Sequence, residues 1–147
     1  RNKMILNTRH TGLVVQDLDR EIQFYIKLGL KVSERRTEYG EYIEKLVGID
    51  GAIIEWAKLG DPNGGIVELI EYKNGRNGNQ PKQGPVNQVG SAHIAYSVRD
   101  IEEACRIVRG SGGSVVNTPQ QSPDGKVKVV YCRDPEGILI ELVEVLN

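Results

Sequence analysis

The chain has 147 residues, room for one ordinary domain or for two small modules sharing a core, and enough to bury that core without disulfide or metal staples. Hydrophobic residues make up 39% and charged residues 27%, the balance of a soluble globular chain. The formal charge of −1 comes from 19 basic and 20 acidic residues spread evenly, which excludes the basic stripe of a nucleic-acid binder, and no apolar run approaches the ~20 residues that cross a bilayer.

In chain order, residues 10–15 read as a strand that runs into Asp17, a good N-cap for a helix through about Leu28, with Leu18, Ile22 and Tyr25 or Ile26 as its apolar stripe and Gly29 as its stop. Strands follow at about 30–38, 52–59 and 65–72, with room for a short helix in GEYIEKLVGI. Residues 73–90, rich in Gly and Pro, read as a linker between a first module, 8–72, and a second, 91–146. The second module opens on a strand at His93. Asp100 then caps a helix, with Glu103 three residues on completing a capping-box pattern. Ile101, Ala104, Cys105 and Val108 form the stripe of that helix. Strands at about 114–117, 126–133 and 137–145 close the chain, separated by a long turn at 117–126. Cys105 and Cys132 sit in separate apolar contexts and read as two buried, reduced thiols. The start shows no signal-peptide h-region, so cytoplasmic residence is the expectation.

The two modules repeat one another. From His10 and from His93, Val15 matches Val98, Asp17 matches Asp100 and Val32 matches Val115 at a constant offset of 83. Their last strands, GGIVELIEY and EGILIELVEV, align Glu68 with Glu141 at an offset of 73. The chain has only two histidines, and each occupies the same place in its repeat. Strands alternate faces with a period of two, so Glu68 shares a face with Ile66 and Ile70, and Glu141 with Leu139 and Val143. A carboxylate on an apolar face is costly unless it is paired, hydrogen-bonded or bound to metal. Glu71 and Glu144 fall on the opposite face and are expected to be solvated. His10, Glu68, His93 and Glu141 together make two imidazoles and two carboxylates, a donor set suited to one Zn²⁺, Ni²⁺, Co²⁺, Mn²⁺ or Fe²⁺ ion.

The HTGLVVQDLDREIQFY opening, the SAHIAYSVRDIEEA centre and the RDPEGILIELVEV ending resemble the vicinal oxygen chelate superfamily, over about residues 8–145. Its members include glyoxalase I, methylmalonyl-CoA epimerase, extradiol dioxygenases and antibiotic-resistance proteins. The resemblance implies an α+β fold of two tandem βαβββ modules forming a cup-shaped, eight-stranded mixed sheet around the metal. It places the metal ligands at His10, Glu68, His93 and Glu141. It also implies a homodimer, in which a swapped arrangement would draw the two His–Glu pairs from different subunits.

Such a site favours metal-assisted proton transfer next to a carbonyl of a small vicinal-oxygen substrate, by a lyase or isomerase of glyoxalase I or epimerase type. Glu141 is the candidate base by analogy with glyoxalase I, and Glu68 is the symmetric alternative. Arg9, Arg35 and Arg36 are candidate partners for substrate carboxylates, and Glu44 or Glu55 candidates for a second acid or base. An extradiol-type ring-cleaving dioxygenase is the alternative, weakened because both histidines are already assigned to metal. A non-catalytic drug-binding resistance protein is a further alternative, weakened because the ligands are retained in full.

Overall fold

The computed structural model describes residues 3–74 and 84–147. The chain forms two compact units, Arg1–Asn77 and Gly78–Asn147. The predicted linker 73–90 lies in part, at 75–83, outside the described residues.

In the first unit the order is β1 (Thr11–Val14), α1 (Leu18–Lys27), β2 (Lys31–Tyr39), α2 (Glu41–Val47), β3 (Ile53–Gly60) and β4 (Ile66–Tyr72). The sheet runs β1-β4-β3-β2, with β1 parallel to β4 and the other pairs antiparallel. Helix α1 starts where its sequence says it should: the Asp17 carboxylate accepts from the Arg20 N–H at 3.0 Å, satisfying one of the donors a helix start leaves free. Leu18, Ile22 and Tyr25 bury its inner stripe near Ala57 and Leu59 of β3 and Val67 and Leu69 of β4, all shielded from water. The short helix α2 ends at Gly48, whose left-handed backbone (φ 72°) suits a residue without Cβ.

In the second unit β5 (Ile94–Ser97), α3 (Ile101–Gly110), β6 (Ser114–Val115), β7 (Gln120–Gln121), β8 (Val127–Arg133) and β9 (Leu139–Val145) follow. The path is β5-β9-β8-β6, with β7 also pairing to β8. Ile101, Ala104, Cys105 and Val108 of α3 are buried, as are Val130, Cys132, Ile140 and Leu142 of β8 and β9. Burial lifts both thiols above the usual cysteine range, Cys132 to about 12.

Four expectations need correction. Among the described residues the expected eight-stranded sheet is two sheets, of four and five strands, each paired within its own unit. The long turn predicted at 117–126 contains the extra strand β7, where Gln120 and Gln121 pair with Val129 and Lys128. Glu71 and Glu144 are half-buried and engaged by backbone, not simply solvated. Glu71 accepts the Leu18 N–H at 2.9 Å and Glu144 the Ile101 N–H at 2.7 Å, so each carboxylate closes the start of the helix packed on its own sheet. In α3 this replaces half of the capping box: Asp100 accepts from the Glu103 N–H, but the Glu103 carboxylate turns away to Arg106.

Candidate metal and substrate site

The sheet register explains how each histidine meets its glutamate. In the first unit Gly12 of β1 lies opposite Glu68 of β4; in the second, Ala95 of β5 lies opposite Glu141 of β9. His10 and His93 stand two residues earlier on the same chain, so each side chain returns to the face of its glutamate, one strand away. The His10 Nε2 lies 3.4 Å from the Glu68 Oε1, and the His93 Nε2 lies 2.9 Å from the Glu141 Oε1. All four side chains are partly accessible: the histidines at 33% each, Glu68 at 16% and Glu141 at 22%. That combination lets a solute reach the donor atoms while the strands hold them in place.

Each unit therefore presents one imidazole and one carboxylate side by side. Among the described residues no three His, Cys, Asp or Glu side chains gather into a metal-holding group, so within a unit two donors stand ready and no more. The donor chemistry fits a borderline divalent ion, since imidazole nitrogen and carboxylate oxygen are its common ligands.

Around each pair the same register supplies neighbours that sequence reading overlooked. Lys58 of β3 lies opposite Glu68, and Tyr131 of β8 lies opposite Glu141. These two positions are again separated by 73, so carrying the repeat one strand back would have found them. The Tyr131 ring leans on the His93 ring with centroids 5.0 Å apart, limiting how the imidazole turns. On the face of Glu68, Ile54 and Trp56 pack with Ile43 of α2 and with Ile70 and Tyr72, giving the pair an apolar wall. The Trp56 Nε1–H donates to the Glu38 carboxylate at 2.6 Å. In the second unit Arg133 donates to the carbonyls of Gly84 and Gly137, both at 2.9 Å. It thereby ties the segment leading to His93 onto the β8–β9 turn. A cavity of about 320 Å³ opens there, lined by Gln88, Ser91, Ala92 and Leu139 among others.

Other candidates lie elsewhere. Arg35 and Glu55 occupy the opposite face of the first sheet, in a chain of ion pairs: Arg35 with Asp19 and Glu55 at 2.7 Å each, and Lys73 with Glu55 at 3.0 Å and Glu71 at 2.7 Å. Hydrogen bonds from Arg35 and Lys73 hold the Glu55 carboxyl below its usual range, which suits a structural anion and not a proton shuttle. Glu44 is engaged by the Gly51 N–H at 2.7 Å. Arg36 lies on the face of Glu68 but pairs with Glu34 at 2.8 Å.

A family model described as the Glyoxalase/Bleomycin resistance protein/Dioxygenase superfamily matches residues 8–142. The chain belongs to that superfamily. It is 31% identical over 142 residues to a probable lactoylglutathione lyase of Vibrio cholerae, covering 92% of this chain and 88% of that one. It is 34% identical over 139 residues to a lactoylglutathione lyase of Escherichia coli O157:H7, covering 92% and 90%. Among solved structures, a glyoxalase family protein from Bacillus cereus superposes with a TM-score of 0.92 at 28% identity, covering 100% of this chain and 98% of that one. The resemblance read from the sequence motifs and the α+β, two-module fold are thus established, and the relatives make the chain a protein of glyoxalase type.

Proposed function

We propose that this protein is a metal-dependent lyase or isomerase of glyoxalase type, acting by proton transfer beside a carbonyl of a small substrate with vicinal oxygens. The observation that carries the reading is the pair of equivalent His–Glu contacts, His10 with Glu68 and His93 with Glu141, each set by the same register in its own unit. Two such halves, brought together within one chain or across a homodimer, make a four-ligand set. Bound there, a divalent cation would act as a Lewis acid on adjacent substrate oxygens and make the neighbouring C–H more acidic.

The protein's own side chains then move the proton. Glu141 is the preferred base, because its carboxylate already faces the donor atom of His93 and is accessible from the open side of the strand. Glu68 makes the equivalent contact with His10 and is the alternative base. Tyr131 holds the His93 ring, and the apolar wall of Ile54, Trp56 and Ile70 excludes water from one flank of Glu68. The lyase names of the relatives support this reading over ring cleavage.

The test has two stages. Metal analysis and titration with Zn²⁺, Ni²⁺ and Co²⁺ should show one ion per pair of His–Glu contacts. The loaded protein in D₂O should then exchange the α-hydrogen of small α-oxygenated carbonyl compounds, including the hemithioacetal of glutathione and methylglyoxal. A protein that takes up no metal, or that cleaves catechols under oxygen and exchanges no α-hydrogen, overturns the proposal.

A further inference from the structure

The ladder of the first sheet sets Glu34 of β2, Lys58 of β3, Glu68 of β4 and Gly12 of β1 in one row across the face that carries His10. Lys58 is thus flanked on both neighbouring strands by glutamates, at the ~5 Å spacing of directly opposed residues. Its ammonium pairs with neither. Glu34 is taken up by Arg36 at 2.8 Å and Glu68 by His10, while the Lys58 Nζ lies 5.2 Å from the centre of the Trp56 ring. Among the described residues Lys58 makes no ion pair, although it is half-buried in the middle of a strand.

Arg36 offsets Glu34, and in the proposed four-ligand set two glutamates offset a divalent ion. Among the described residues of this face Lys58 is the cation without an ion pair, one strand from a ligand, and Glu38, which accepts from the Trp56 Nε1–H, is the anion without one. The equivalent residue in the second unit is Tyr131, which is neutral and leans on His93. The two halves therefore match in their ligands and differ in what stands beside them.

We propose that Lys58 is the specificity-determining cation that receives a carboxylate of the substrate. The substrate would then be an α-oxygenated carbonyl compound carrying a negative charge apart from its chelating oxygens. This rests on the metal site proposed above. A cation in a low-dielectric wall next to the reacting centre selects for charge at that position and leaves the chelating end unaffected.

The experiment uses the Co²⁺-loaded full chain and two probes that share a chelating end, 2-oxoglutarate and 2-oxopentanoate. The first has a distal carboxylate where the second has a methyl group. Calorimetry should show 2-oxoglutarate binding about tenfold more tightly to the native protein, the size of one charge-assisted contact. Lys58→Met, which keeps the aliphatic stem against Trp56, should abolish the preference and leave the affinity for 2-oxopentanoate unchanged; Lys58→Arg should retain it. Equal affinities in the native protein, or a preference that survives in Lys58→Met, overturn the role of Lys58. Failure to load Co²⁺, read separately from its absorption bands, overturns the metal site and this inference with it.

Discussion

Replacing Glu144 by Gln tests whether the second glutamate of each ELxE-like strand end serves the fold while the first serves the site. Glu144 stands three residues after Glu141, so it faces the helix side of β9, where it accepts the Ile101 N–H at 2.7 Å. A hydrogen bond to a charged acceptor contributes about 1.5–3 kcal/mol, against about 0.5–1.5 for a neutral one. Gln preserves shape and a neutral acceptor but removes the charge that favours a helix start, so the expected loss is about 1–1.5 kcal/mol. Glu144→Ala should cost about 1–3 kcal/mol, because the half-buried N–H then has no acceptor. Glu71→Gln should lose a similar amount at α1. Its pair with Lys73 adds little, since that lysine is 40% exposed and such pairs contribute about 0–1 kcal/mol. The two carboxylates cap different helices and share no partner, so the double variant should show the sum of the single losses. Urea unfolding followed by far-UV circular dichroism measures the loss, and metal titration of the same samples should give unchanged affinity. Unchanged stability in Glu144→Gln, or loss of metal affinity at full stability, would refute the division of labour between the two strand faces.

Four further outcomes follow from the geometry. His10→Ala and Glu141→Gln should each lower metal affinity by at least about tenfold with little change in urea midpoint, because even residues outside the ligand set cost 10–100-fold at such sites. Leu69→Ala, in a position fully shielded from water, should destabilise by about 2–5 kcal/mol by denaturant titration. Since Arg35 and Lys73 hold the Glu55 carboxyl below its usual range, the stabilisation it contributes is present at neutral pH and lost as pH falls through that lowered range. The stability gap between the native chain and Glu55→Gln should accordingly close on acidification, and a gap that widens would contradict the ion-pair assignment. Cys132, buried with its thiol pushed up to about 12, should resist alkylation at neutral pH and react only in urea.

What the sequence determined by itself is whatever depends on periodicity and on the internal repeat. The stripes of α1 and α3, the Asp17 and Asp100 caps and the last strand of each module follow from local spacing. The placing of His10 with Glu68 and His93 with Glu141 follows from comparing one copy with the other. The tertiary structure decided what depends on which strand lies beside which. Alternation alone said that Glu71 and Glu144 leave the face of the ligands, but not that a helix N-terminus waits there to accept their charge. Arg35 and Arg36 are neighbours in sequence, so alternation puts them on opposite faces, but only the pairing of β2 with β3 decides that Arg35 takes the helix side and Arg36 the side of Glu68. Lys58 and Tyr131 are ten residues from the glutamates they flank and carry no motif of their own. The repeat offset of 73 marks the two positions as equivalent, but their place beside those glutamates arises from an antiparallel register, which no local pattern encodes.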